Sequence, residues 1–499
     1  MDALLRCWPG LAEAKIRSTL YGHALEHGGR SIHEGLWVHN DPASRDGAGM
    51  DVNIAAVFAH LRVPIIRWPG GAFANDYHWR AGVGPIDERP TTVNSGWQEC
   101  EPNTFGTNEF LQSCAQIGAA PLITMNLETG TPKEALDWVE YCQFPGSSSL
   151  TALRAKHGRI QPHAIPYWIA GSLCQGKSAF LSAADYAKEA ARFIVPMSRF
   201  DPQLQFLLQG MTCSYEHPNG ENWNQELCEA LRGQSFMNYL CLEPSFTQGG
   251  GATFSNDDYD ALFAHVITFE EELEKAEALL HYYFPKGNVA LAVTEWGMKH
   301  PEASLENGME QPNTLRDALF AASMLHLFNK WSPRVAIANL NQAVNVLQCL
   351  MKTRPGDLLL TPTFHVFDLM IPHYDALRVR TEVETPSFEV RESGSSTTRS
   401  IPCLDVSASL SENTIRLTVI NKSRSQTIKT RIELGEAKAA AVSGTALLGA
   451  TPQDQNTFED TGCVRPHRLH FKSFKNAKDE VVHSFPPHSF TALTITLES

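Results

Sequence analysis

The sequence predicts an α/β chain: a (β/α)8 barrel over residues 18–374, then an antiparallel β-sandwich over 375–499, with segment 1–17 a candidate addition to the sandwich. Three observations carry this. Strand-like and helix-like segments alternate from residue 18 to about residue 374, the pattern of parallel βα units. Eight such units can be counted, the number that closes a barrel. After "HYDALRVRTEVETP" the helical period stops, and only strands between polar turns remain.

The eight strand candidates are, in order, "STLYGHALEH", "RVPIIRWPGG", "APLITMNLETG", "IPYWIAGS", "LQFLLQG", "YLCLEPS", "VALAVTEWG" and "VAIANLNQ". Each holds a short apolar run suited to burial on both faces, as a parallel sheet covered by helices requires. Between them "DVNIAAVFAHLR", "PKEALDWVEYC", "SAADYAKEAARFIVPMSRF" and "NTLRDALFAASMLHLFNKW" repeat apolar residues at helical spacing. Several begin with Ser, Thr, Asp or Asn, which cap the free backbone N–H groups of a first turn. Beyond residue 375, "TIRLTVINKS", "TIKTRIELGE", "RLHFKSF" and "SFTALTITLES" read as sandwich strands, and the Ser/Thr-rich "PSFEVRESGSSTTRS" as an exposed loop.

Composition narrows the function. Apolar residues make up 43% and charged residues 19% of the 499, which is globular, and the net charge of -14 lacks any concentrated basic face. Nucleic acid and anionic membranes are therefore not expected partners, and a small molecule is. Apolar runs such as "VALAV" are too short to span a bilayer, and the N-terminus lacks the order of a signal peptide, so the expected location is cytoplasmic. The eleven cysteines form no CxxC and read as buried, reduced thiols. The histidines of "YGHALEHGGRSIHEGLWVHN" match no zinc spacing, so a hydrogen-bonding role is expected, with no metal and no cofactor.

In a (β/α)8 barrel the chemistry sits where the strands end. There the chain places Trp68, Trp168, Phe246 and Trp296, aromatic residues that stack on sugar rings or pack in cores, and Asn126, which joins the candidate substrate-binding set. Glu243 and Glu295 close the sixth and seventh strands, where each carboxylate would perturb the other's titration and leave one protonated near neutrality.

Long strings in these positions, including "LYGHALEHGGR", "RVPIIRWPGGAFANDYHWRAGVGPIDERP", "AVTEWG" and "VAIANLNQAVNVL", resemble the α-L-arabinofuranosidases of glycoside hydrolase family 51. The resemblance covers most of the chain and implies the same barrel and sandwich, with a homo-oligomer possible. It also implies a retaining mechanism, in which one carboxylate attacks the anomeric carbon and a second carboxyl about 5–5.5 Å away protonates the leaving oxygen. Glu295 of "TEWG" matches the nucleophile, Arg67 of "RWPGG" the arginine that supports it, and Glu26 and Gln342 sugar-binding positions.

The pattern breaks at the fourth strand, where the family's G-N-E motif with its acid/base reads Gly171, Ser172, Leu173. Leucine carries no proton, and neighbouring Cys174 lacks the reach and ordinary pKa of a carboxylic acid. Ala72 replaces a polar residue, while Glu243 and Ser245 stand where the family has His and Tyr. Ser172, Leu173, Ala72 and Ser245 therefore complete the candidate site as a less polar mouth.

Three functions follow. The first is a non-hydrolytic catalyst acting on an apolar small molecule in natural-product biosynthesis, such as a cyclisation or hetero-Diels–Alder cycloaddition, driven by positioning. The second is a retaining arabinofuranosidase with Glu295 as nucleophile and a relocated acid. The third is a sugar-binding protein without catalysis.

Overall fold

A computed structural model describes residues 2–41, 49–172, 181–212, 222–391, 398–470 and 481–498. Eight parallel strands form a closed barrel: Gly22–Ala24, Ile65–Trp68, Ala120–Thr124, Tyr167–Ile169, Gln205–Gln209, Tyr239–Leu242, Ala290–Met298 and Val335–Gln342. Each pairs with the next, the sixth pairs with the seventh, and the eighth returns to the first. The expected eight strands are thus present. The first is shorter than its apolar run suggests, because Ser18–Tyr21 form a 3-10 turn in which Tyr21 Oη donates to Asn329 Oδ1 at 2.6 Å.

Alternation along the strands sorts the side chains. Ile65, Leu122, Ile169, Leu207, Cys241 and Ala292 fill the barrel interior. Their neighbours Ile66, Ile123, Trp168, Leu208, Leu240 and Val293 point the other way, into the layer under the helices. Gly22 is required by close approach, since a Cβ there would lie 2.1 Å from Asn339 Oδ1.

The second unit is a nine-stranded sheet that is antiparallel except where Ala3–Arg6 run parallel to Thr430–Glu433. The N-terminal strand Ala3–Lys15 lies inside this sheet and pairs on its other edge with Leu377–Glu384. Leu417, Leu493 and Ile495 from one side of the sheet share a core with Ile428, Ile432 and Phe485 from the other, so the sheet is folded over on itself. The stretch read as an exposed loop instead pairs Ser387–Arg391 with Thr398–Pro402 as a two-stranded ribbon, its residues 392–397 lying outside the described region. Cys7, Cys114, Cys142, Cys228, Cys241, Cys349 and Cys403 are buried and free, whereas Cys100 and Cys463 are exposed.

Helix Leu315–Lys330 joins the two units. It is buried nearly all round because the barrel covers one side and the sheet the other. Its polar contacts with the sheet are specific: His326 bonds Asp405 and Thr418, and Asn329 Nδ2 donates to Ser407 Oγ. Burial works against the Asp405 carboxylate, but Lys422 at 3.0 Å and His326 more than offset it and hold Asp405 well below the usual carboxylate range.

Removing one member of such a network strands the others in low dielectric. Asp405→Ala is expected to destabilise the protein by roughly 2–4 kcal/mol in chemical denaturation, with Lys422→Met recovering part of the loss in the double variant. Strict additivity of the two changes would count against the network.

Candidate functional site

Arg67 closes the second barrel strand with its side chain fully buried. Its Nη1 lies 2.7 Å from Glu243 Oε1 and 3.1 Å from Glu295 Oε2, while Nε donates to Thr124 Oγ1 at 3.2 Å. One guanidinium nitrogen therefore draws together the carboxylates of the sixth and seventh strands. Glu243 Oε1 also accepts from Thr294 Oγ1 at 2.7 Å and Gln209 Nε2 at 3.1 Å.

Thr294 and Glu295 are adjacent, yet both serve this site. The register of the seventh strand against the eighth shifts between Val293 and Trp296, and this irregularity breaks the alternation that would send one of them outward.

Burial pushes the Glu295 carboxyl up to about 8; Arg67 pulls against this, and the nearby Glu243 and Glu26 push the same way. Glu26 is raised as well, mainly by burial, although Phe73 N, Gly71 N, Arg67 and the Trp97 indole oppose the shift. Glu26 Oε1 accepts from Gly71 N at 3.1 Å and Phe73 N at 2.9 Å, and Gln342 Nε2 lies 3.4 Å from its Oε2. The backbone can come this close only because Gly70 has φ +137°, where a Cβ would lie 2.2 Å from Glu26 Cγ.

A cavity of about 460 Å³ opens above this floor, with Glu26, Ala72, Glu243, Ser245, Glu295, Trp296 and Gln342 among its lining residues. Of the expected site, these residues come together, and Arg67 lies directly beneath. Trp97, Lys299 and Asn341 also line the cavity. Gln209, Thr294 and Asn341, none of them in the expected set, are legible by the same strand-end rule: Gln209 closes "LQFLLQ", Thr294 precedes the seventh-strand glutamate, and Asn341 precedes Gln342.

Other expected residues lie elsewhere. Trp68 is buried beneath the helices, stacked on Phe110 at 4.9 Å, and donates from Nε1 to His27. Trp168 packs edge-on against Trp138 and donates to Ile165 O, while Phe246 packs against Phe269 and Phe320. The physical reason for the two tryptophans is strand alternation: the residue beside an inward-facing Arg67 or Ile169 must face outward. Trp296, which does line the cavity, also packs its ring on Phe328 and Phe367. Asn126 closes a turn, its Oδ1 accepting from Glu128 N and Thr129 N. Ser172 is buried and its backbone pairs with the Asn75 carboxamide in both directions. Leu173 and Cys174 lie outside the described residues.

His27, His33 and Glu101 bring three potential metal-ligand atoms within 4.8 Å of one another. Hydrogen bonds claim them. Trp68 Nε1–H donates to His27 Nε2 at 3.0 Å, which leaves His27 Nδ1–H to donate to Glu101 Oε2 at 2.7 Å. The nitrogen facing the cluster is thus a donor, the wrong form for a metal ligand.

Two family models match the chain: "Alpha-L-arabinofuranosidase 1 domain" at residues 57–229 and "Alpha-L-arabinofuranosidase C-terminal domain" at residues 294–489. An intracellular exo-α-L-arabinofuranosidase of Bacteroides ovatus is 30% identical over 484 residues, covering 96% of this chain and 93% of its own. A probable α-L-arabinofuranosidase C of Aspergillus clavatus is 29% identical, covering 96% and 94%. Among solved structures, a GH51 arabinofuranosidase from Xanthomonas axonopodis pv. citri superimposes with a TM-score of 0.90 at 28% identity over 99% of both chains. The arabinose complex of the Thermotoga maritima α-L-arabinofuranosidase does so with a TM-score of 0.86 at 28% identity, covering 99% of this chain and 100% of the other. No helix among the described residues is long and apolar enough to cross a membrane.

The raised Glu295 pKa fixes a sign for stability. The folded-state value of about 8 lies above the ordinary 4.5, so folding favours the neutral acid, and this contribution is lost as pH rises through 8. Glu295→Gln is neutral at every pH. Its unfolding free energy should match the wild type near pH 4, exceed it by a margin that grows between about pH 4.5 and 8, and keep a constant excess of roughly 1–3 kcal/mol above that, after allowance for partial solvent exposure. A pH-independent difference would contradict the assignment.

Proposed function

The chain belongs to the glycoside hydrolase family 51 α-L-arabinofuranosidases, and from that premise we propose that it cleaves α-L-arabinofuranosides with Glu295 as nucleophile and Glu243 as a proton donor relocated from the fourth strand to the sixth. The observation that carries this is the shared Arg67 Nη1, which keeps the Glu243 and Glu295 oxygens within two hydrogen-bond lengths of each other. Distances of 2.7 and 3.1 Å to that nitrogen set an upper bound of 5.8 Å on the oxygen separation, which admits the about 5–5.5 Å of a retaining pair. The names of the relatives support hydrolysis over the cycloaddition expected from the apolar mouth.

Two carboxylates beside one buried cation hold one proton between them near neutrality. The resting pair keeps that proton on Glu295, whose carboxyl burial raises, and the reacting form is the tautomer in which the proton has passed to Glu243 and the charge to Glu295. Glu295 then attacks the anomeric carbon as Glu243 protonates the departing oxygen. In the second half Glu243 takes a proton from water, whose oxygen displaces Glu295 and regenerates the pair. Glu26 and Gln342, fixed to each other and to the Gly71–Phe73 backbone, hold the sugar hydroxyls.

Release of 4-nitrophenol from its α-L-arabinofuranoside should fall at least about 10²-fold in Glu295→Gln. The wild-type profile should be bell-shaped, declining above pH 8 as the pair loses its last proton. Glu243→Gln should remove that decline for this activated leaving group, yet cost about 10²- to 10⁴-fold on an alkyl furanoside. Release independent of Glu295 would overturn the proposal.

The second reading, a non-hydrolytic catalyst on an apolar small molecule, is favoured by one observation: Trp97, Leu305, Met309 and Leu347 form an apolar stretch of the cavity wall. The paired change Ser172→Asn with Leu173→Glu separates the two. On a furanoside site it should raise alkyl-furanoside hydrolysis by about 10²-fold or more; a remodelled apolar site would gain nothing.

A further inference from the structure

Resting on the reading of Glu243 and Glu295 as a hydrolytic pair, we propose that Gln209 and Thr294 are positioning residues of the proton donor: by engaging Glu243 Oε1 they leave Oε2 as the oxygen that carries the proton to the leaving group.

The donors around Glu243 all fall on one of its oxygens. Oε1 accepts from Thr294 Oγ1 at 2.7 Å and Gln209 Nε2 at 3.1 Å, and lies 2.7 Å from Arg67 Nη1. A carboxyl oxygen facing three donors has no lone pair to spare for a proton. Oε2 has no partner among the described residues and is not sealed in the protein, so it opens on the cavity that Glu243 lines. The same contacts serve both tautomers of the pair. With the proton on Glu295 they stabilise the Glu243 anion; with the proton on Glu243 its Oε1 is the carbonyl oxygen, which still accepts, and Oε2–H faces the substrate.

Both positioning side chains are themselves fixed. Gln209 is buried, its backbone N–H bonds Tyr186 Oη at 2.9 Å and its carbonyl accepts from Trp223 Nε1 at 3.0 Å. Its carboxamide also meets Gly171 O at 3.3 Å, an acceptor like Glu243, so the amide must turn its NH2 to both. Thr294 is fully buried, and its carbonyl accepts from Arg67 Nη1 and Asn339 Nδ2.

The charged and titratable groups around Glu243 come from several elements. Arg67 belongs to the second strand, Glu295 to the seventh and Glu26 lies just past the first, with Lys299 at the rim, Cys241 on the sixth strand itself and Tyr186 on helix Ala183–Phe200. Burial pushes the Cys241 thiol and the Tyr186 phenol up, so both stay neutral over the working range. The cavity carboxylates are left to titrate, and among them Gln209 and Thr294 hold Glu243.

Removing either donor destabilises ionised Glu243, so each proton binds the pair more tightly. The dependence of kcat/KM on pH, with 4-nitrophenyl α-L-arabinofuranoside, reads this directly. Thr294→Val and Gln209→Leu should each move both limbs of the bell to higher pH, by roughly 1–2 units. Thr294→Ser, which keeps the hydroxyl, should keep the wild-type limbs. Added to Glu243→Gln, Thr294→Val should leave the remaining acid limb in place. The position of a limb does not depend on the fraction of enzyme that is folded, so a partly unfolded variant still gives the answer. Limbs unmoved in both Thr294→Val and Gln209→Leu, or moved equally in the Glu243→Gln background, overturn the assignment. The hydrolytic reading fails separately, by Glu295-independent release of 4-nitrophenol, so the two results are distinguishable.

Discussion

The site depends on one buried cation. Arg67 is wholly removed from water, and a guanidinium so placed costs several kcal/mol unless anions and acceptors surround it. The barrel supplies them from three other strands: Thr124 on the third, Glu243 at the end of the sixth and Glu295 on the seventh. The interaction therefore crosses the barrel and fixes how the ends of distant strands sit against one another. It also bears on the protonation of the site. Burial is what lifts the Glu295 pKa; Arg67 opposes it, and Glu243 and Glu26 add to it because one cation does not balance all the carboxylates around it.

The fourth strand is wired into the same centre by its backbone. Gln209 Nε2 reaches both Gly171 O, at 3.3 Å, and Glu243 Oε1, at 3.1 Å. Asn75 clamps the neighbouring Ser172 in both directions. The strand that carries Leu173 is thus held against the carboxylate pair although Gly171 and Ser172 contribute no acid.

Much of the architecture was legible in the sequence because a barrel writes itself as repeated strand and helix periods, and strand-end positions read together with the family resemblance singled out Arg67, Glu243, Glu295 and Gln342. What failed was the facing of adjacent residues. Trp68 and Trp168 stand at strand ends as Arg67 does, but alternation turns them into the layer beneath the helices. Thr294 and Glu295 escape alternation only because of a register shift that no local period announces. The parallel pairing of Ala3–Arg6 with Thr430–Glu433 joins segments more than 400 residues apart in sequence, and the ribbon formed by Ser387–Arg391 and Thr398–Pro402 is hidden by a Ser/Thr-rich composition.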